Sequence, residues 1–171
     1  MSIRRQKGID PLREITGELR GVAKGPGRTV LFRRGGDEQL IERAVKLLVE
    51  AERPLIYVGG GVILSEASQQ VAPLAEALGA PVAYSLMGKG ALSDDHPLAV
   101  GMTGFWGTPT ANRLCREADV ILAVGARFDD RVTGRLDAFA PQAKKIHIDI
   151  DRAQINKIVP VDLGIVGDCG H

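Results

Sequence analysis

This chain lacks a glycine-framed nucleophile, a phosphate cradle, a long apolar run and clustered cysteines, and each absence removes a class of function. There is no G-x-S-x-G elbow, and neither cysteine stands in a recognisable pattern with histidine and carboxylate, so nucleophilic catalysis finds no support. No G-x-x-x-x-G-K-[ST] run is present, which argues against phosphoryl transfer by that cradle. The two cysteines, Cys115 and Cys169, lack metal-ligand spacing, so a structural zinc site is excluded and no metal is expected in this chain. Nothing approaches ~18 consecutive apolar residues and the start is not signal-like, so the expectation is a soluble, cytoplasmic protein with no membrane partner. Aromatic residues make up only 4% and the net charge is +1, both poor equipment for stacking bases or neutralising phosphates, and no nucleic-acid partner is expected.

What is present suits an α/β protein. At 171 residues and 44% hydrophobic, the chain can bury one sizeable core, and its 21 glycines fit many tight strand-to-helix turns. Charge is unevenly placed. Residues 1–36 carry a net of +6 and the rest a net of −5. The first 36 residues show no sustained period and are punctuated by Gly25, Pro26 and Gly27, so they read as a connector with one short helix near Pro11 to Leu19. The folded domain is expected over 37–171. Asp37 is a plausible N-cap for a helix whose apolar stripe runs from Leu40 to Ala51. Buried strands are expected at Leu55–Val58, Pro81–Tyr84, Asp119–Val124, Ala143–Ile148 and Leu163–Val166, with a short one at Leu98–Gly101. Ser65 reads as the cap of a helix through Pro73 to Gly79, and Thr108 with Pro109 opens another. Strand and helix alternate, which predicts a parallel sheet.

In such a sheet the carboxyl ends of the strands share one edge, and here each carries ligand-type residues: Gly59 to Gly61, Ser85 with Leu86, Gly125 to Arg131, Asp149 with Ile150, and Asp168. Glycines allow a backbone to approach a pyrophosphate, an arginine such as Arg127 offsets its charge, and carboxylates past a strand accept ribose hydroxyls. The composite suggests a dinucleotide. Bland readings stand beside it: Asp129, Asp130 and Arg131 fit a solvent-facing ion-pair turn, Asp149 fits a cap for a helix at Asp151 to Asn156, and Phe105 with Trp106 fits a cover for a long loop. The three glycines lack G-x-G-x-x-G spacing. His147 reads as a satisfied core or face histidine, and His96 and His171 have no partner legible in the sequence.

The segments RPLIYVGGGV, SLMGKGA, GARFDDRVTGRLDAFAP, KKIHIDIDRAQINK and the closing VGD, taken together over about Gly36 to Asp168, resemble the central domain of the acetolactate (acetohydroxyacid) synthase large subunit, a family of thiamine-diphosphate enzymes. The resemblance implies a Rossmann-like (DHS-type) α/β fold with a parallel six-stranded sheet and helices on both faces. It also implies a domain that holds FAD without net redox chemistry. Carried over by position, Gly60 is the close-approach glycine, and Ser85 and Leu86 lie along the flavin. Thr103, Gly104, Phe105 and Trp106 form the next loop, and Gly125, Ala126, Arg127, Phe128 and Asp129 hold the centre. Asp149, Ile150, Asp168 and Cys169 face the adenosine end, while Asp130 and Arg131 match positions near the substrate channel. Phe105 and Trp106 depart from the methionine and histidine usual there.

In that family the thiamine-activating glutamate and the magnesium-binding GDG…N motif belong to neighbouring domains. Thiamine diphosphate and Mg2+ are therefore expected in a parent enzyme and not on this chain, which is expected to be inactive alone. The parent would decarboxylate pyruvate and condense the two-carbon unit with a second 2-oxo acid, in branched-chain amino-acid biosynthesis, as a homo-oligomer. A freestanding nucleotide-binding subunit, or the central domain of another carboligase such as glyoxylate carboligase, is the alternative. A sirtuin-type deacylase is disfavoured by the missing paired cysteines.

Overall fold

A computed structural model describes residues 35–171; the connector over 1–34 and its helix near Pro11 lie outside the described residues. Asp37 caps the first helix, α1 (Glu38–Glu50), by accepting from the backbone N–H of Gln39 at 2.9 Å. Its stripe places Ala44, Val45 and Leu48 in the core, where an amphipathic helix gains most of its stability. The chain then builds β1 (Pro54–Val58), α2 (Gly60–Leu64), α3 (Ser68–Leu78), β2 (Val82–Tyr84), β3 (Ala99–Met102), α4 (Pro109–Glu117), β4 (Val120–Val124), α5 (Asp130–Thr133), β5 (Lys144–Asp149) and β6 (Leu163–Val166).

The six strands form one parallel sheet in the order β3-β2-β1-β4-β5-β6. Residues of β1 are buried on both faces, as its unbroken apolar run requires. On one face Ile56 and Val58 meet α1, α2 and α3 through Val45, Val62, Val71 and Leu78. On the other, Leu55 and Tyr57 meet Ala111 and Cys115 of α4 and the segment carrying Phe128 and Phe139. The expected α/β architecture, with helices on both faces, is the one observed. At the amino-terminal edge Asp119 ties β1 to β4, its carboxylate accepting from Glu52 and Arg53 N–H at 2.7 and 3.0 Å.

Two local expectations are corrected. Ser65 ends α2 instead of opening α3: its N–H donates to Gly61 and its hydroxyl to Val62, Glu66 then turns left-handed at φ 61, and α3 starts at Ser68 behind Ala67. The helix expected at Asp151 to Asn156 is a single 3-10 turn, Arg152–Gln154. Asp151, not Asp149, caps it, and left-handed Asn156 prevents its extension. The links β2–β3, β4–β5 and β5–β6 hold only short helical turns, so strict alternation of strands with full helices fails where parallel pairing does not.

Candidate functional site

Because every strand runs the same way, all six carboxyl ends lie on one edge, and the chain reverses its direction of travel across the sheet between β1 and β4. Open α/β sheets leave their ligand crevice at such a switch point. Two different demands for glycine meet there. Gly59 and Gly61 lie against Gly125 and Ala126, where any Cβ would collide with backbone: one on Gly61 would stand 2.6 Å from the Gly125 Cα, and one on Gly125 would stand 2.7 Å from the Gly61 Cα. Gly59 N–H donates to Val124 and Gly61 N–H to Gly125, at 3.0 and 2.9 Å. These glycines fuse β1 to β4. Gly60 between them faces outward, toward Met87 at 3.0 Å from its absent Cβ.

Toward β2 and β3 the edge turns apolar. Ser85 accepts from Gly88 N–H and opens a 3-10 turn that leaves Leu86 73% and Met87 70% exposed. On the neighbouring strand end, Phe105 is 77% and Trp106 73% exposed, their rings edge-to-face at 4.9 Å. The bland reading of this pair as a cover for the core fails on those exposures. The loop itself is held by Asn112 of α4, which accepts from Gly104 N–H at 2.8 Å, donates to the Gly104 carbonyl at 3.0 Å and accepts from the Thr103 hydroxyl at 3.1 Å. Thr103 is therefore a buried strut. Gly104 is pressed on the Arg131 carbonyl, which accepts from Phe105 N–H at 2.7 Å.

After β4, Ala126 and Phe128 turn inward while Arg127, Asp130 and Arg131 face solvent. Phe128 meets Tyr57, Phe139 and His147 edge-on or tilted, so its side chain belongs to the core and only its backbone reaches the edge. Asp129 caps α5 through Val132 N–H at 3.2 Å. The Asp130–Arg131 pair, 3.8 Å apart and largely exposed, contributes little to stability. Beneath this turn the Tyr57 hydroxyl makes a long 3.5 Å contact with the Arg127 carbonyl, and burial, reinforced by the Asp129 and Cys115 charges, holds its pKa well above the phenol range.

Toward β5 and β6 the edge becomes acidic. Asp149, only 8% exposed, accepts from Asp151 N–H at 2.8 Å, and its carbonyl accepts from Gly167 N–H. Asp168 accepts from Gly170 N–H at 2.9 Å. Cys169 lies close by, its thiol pushed up to about 12 by burial first and then by the Asp168 and Asp149 carboxylates. Ile150 is half exposed. His147, expected to be a satisfied core or face histidine, does lie in the core, but neither ring nitrogen reaches a partner within hydrogen-bond geometry. Burial lowers its pKa, against the Asp149 carboxylate and the Ala126 backbone, which favour the charged form.

The sequence residues singled out thus share one edge, ordered by the sheet: apolar rings at β3 and β2, glycines at β1 and β4, carboxylates at β5 and β6. Met87, Asn112 and the Tyr57 hydroxyl were not anticipated. Asn112 carries a readable signal, since it lies one turn into a helix that follows a glycine-rich loop.

The family model described as "Thiamine pyrophosphate enzyme, central domain" matches residues 41–171. Among curated proteins, the chain is 56% identical over 128 residues to a "Probable acetolactate synthase large subunit" of Methanocaldococcus jannaschii, covering 75% of this chain and 22% of that protein. It is 51% identical over 133 residues to the protein of that name in Methanococcus aeolicus, covering 78% and 22%. It is 52% identical over 130 residues to an "Acetolactate synthase" of Mycobacterium avium, covering 76% and 21%. The chain spans about a fifth of the length of these relatives.

Proposed function

Because the chain belongs to the thiamine pyrophosphate enzyme central-domain family, we propose that it is the flavin-holding domain of an acetolactate synthase-type carboligase, with FAD along the carboxyl edge of its sheet. One observation carries this reading: the apolar, glycine and carboxylate zones succeed one another along the edge in the order of the parts of a flavin dinucleotide. Five inter-strand steps of ~4.8 Å span about 24 Å, enough for an extended dinucleotide.

The residues fit the group. Leu86, Met87, Phe105 and Trp106 offer apolar surface that needs a flat partner to leave water. Gly60, half-buried against Met87, brings backbone without a side chain to the middle, and Arg127 supplies a charge able to pair with a pyrophosphate. Asp149 and Asp168 are acceptors suited to ribose hydroxyls. The bound flavin would wall the active site and carry no net electrons. Asp130 and Arg131, exposed beside the Phe105 loop, would then line the approach of the 2-oxo acid.

Thiamine diphosphate, with its Mg2+, and the decarboxylation of pyruvate would lie with neighbouring thiamine-diphosphate domains of a cytoplasmic homo-oligomeric parent, of the kind whose names the relatives bear. Titration of the purified chain with FAD, followed by flavin fluorescence, tests the reading. Saturable binding, lost on Gly60→Val but not on Arg135→Ala, is expected. No binding at micromolar flavin would refute a competent flavin site.

A further inference from the structure

His147 is the buried polar group that the fold leaves unexplained. It stands in β5 opposite Ala123 of β4 and Gly164 of β6, and Ile155 fills the space over Gly164. The Phe128 ring closes over it edge-on at 5.1 Å. The residue is 1% exposed, and neither Nδ1 nor Nε2 has a partner within hydrogen-bond geometry, although the Ala126 backbone lies near enough to favour the charged ring. Buried polar atoms in folded proteins are nearly always paired, and a core position that needed only volume would be filled by an aliphatic side chain.

Two residues on, and therefore on the same face of the strand, stands Asp149. His147 Nε2 lies 3.8 Å from Asp149 Oδ2, just beyond hydrogen-bond length. The other carboxylate oxygen, Oδ1, is already fixed by Asp151 N–H at 2.8 Å. A small movement of the ring would therefore fix the second oxygen too.

We propose that His147 is a positioning residue for Asp149: neutral and protonated at Nε2, it donates to Asp149 Oδ2 and orients the carboxylate toward the hydroxyls of an adenosine ribose. The ligand half of this proposal rests on the flavin reading above. Neutrality decides the ligand chemistry. An imidazolium would cancel the carboxylate's charge and tolerate a phosphate there, whereas a neutral donor leaves the carboxylate anionic, a good acceptor for a sugar diol and a repellent of phosphate. Desolvation of the ring holds it in that neutral form near pH 7.

The test has two arms. In the first, 15N spectra of the imidazoles in the ligand-free chain report the His147 tautomer. An Nε2–H tautomer whose Nε2 resonance moves in Asp149→Asn is expected, and an Nδ1–H tautomer or a resonance indifferent to that substitution overturns the orientation. In the second, ADP and 2′-deoxy-ADP compete with FAD. The wild-type chain should prefer ADP by about tenfold, the scale of one charge-assisted hydrogen bond. His147→Phe should bring that preference close to unity while retaining the thermal midpoint, and His147→Gln, which keeps a donor at the Nε2 position, should restore most of it. An undiminished preference in His147→Phe overturns the proposal. A wild-type chain that binds no FAD refutes the flavin reading, and the tautomer arm then decides the His147–Asp149 pairing alone.

Discussion

Replacing Gly59 or Gly60 by alanine adds the same methyl group to adjacent residues and should give opposite results. Gly59 has φ −114 and ψ −176, extended backbone that alanine adopts freely, so any cost is steric. Its Cβ would overlap the Gly125 carbonyl oxygen and the Ala126 Cα, and would stand 2.7 Å from the Ala126 Cβ. Two central strands would have to part. The bonds Gly59 N–H to Val124 and Gly61 N–H to Gly125 would stretch with them, at about 1 kcal/mol each, and forcing a packed core apart adds about 1–3 kcal/mol. The total of about 3–5 kcal/mol is a large share of the ~5–15 kcal/mol by which domains are stable. At ~2–4 °C per kcal/mol it lowers the thermal midpoint by roughly 6–20 °C. Gly60→Ala meets only the Cβ and carbonyl oxygen of Met87, at 3.0 and 3.3 Å, which the short turn carrying Met87 relieves by a shift of a few tenths of an ångström, and alanine improves a helical position by up to about 1 kcal/mol. Its stability should stay close to that of the unsubstituted chain, its FAD affinity lower. Differential scanning calorimetry with flavin titration reads both quantities. Equal destabilisation by the two substitutions would refute the division between fusing and ligand-facing glycines.

Asn112→Ala removes the three bonds that hold Thr103 and Gly104; it should cost about 2 kcal/mol and speed hydrogen exchange at Gly104 and Phe105, a change readable by mass spectrometry. Native Cys169, with its thiol pushed up to about 12, and Cys115, raised by burial, should resist iodoacetamide at pH 8 and react once urea unfolds the chain. Because an unfolded thiol ionises near 9, the unfolded state gives up its proton first, and the urea midpoint should hold below pH 9 and fall as pH rises toward 12. His147 works in the opposite direction: its depressed pKa means that the unfolded chain takes the proton first as pH drops through 6.5, so stability present above that value is lost below it. Comparing urea midpoints at pH 7.5 and 5 should show a smaller acid loss in His147→Phe.

The strands were legible because each is a short apolar run bounded by glycine, proline or aspartate, and burial on both faces needs nothing subtler than continuous hydrophobicity. Helix starts were legible where a side chain does the capping, as with Asp37 and Thr108. They were not where backbone alone does it. The start of α3 depends on Glu66 taking a left-handed conformation after α2, and no pattern of side chains announces that. Likewise Asp149 and Asp151 both look like caps in sequence, but Asp149 ends β5, paired with Val166 and bonded by Gly167 N–H, and Asp151 opens the turn. The placement of the candidate residues on one edge was readable, since parallel pairing alone brings the strand ends together. The residues' individual roles were not: Phe128 faces inward onto Tyr57, far back along the chain, and Thr103 onto Asn112, nine residues on in the following helix.

The strand order explains why the crevice has a floor. Leaving β1, the chain covers one face with α2 and α3; leaving β4, it covers the other with the Phe128 to Ala140 segment. Departures to opposite faces at adjacent strands would open a cleft running down between the strands. Gly59, Gly61 and Gly125 prevent this by bringing the two departing backbones into direct contact. Under the proposed function the ligand would lie across the top of the sheet, touching successive strand ends, instead of sinking into the switch point. That geometry favours a long molecule with chemically distinct segments over a compact one. It also makes affinity depend on several weak zones at once, so single substitutions at the exposed rings of Phe105 and Trp106 should weaken a flavin dinucleotide less than substitution at Gly60, over which every such ligand has to pass.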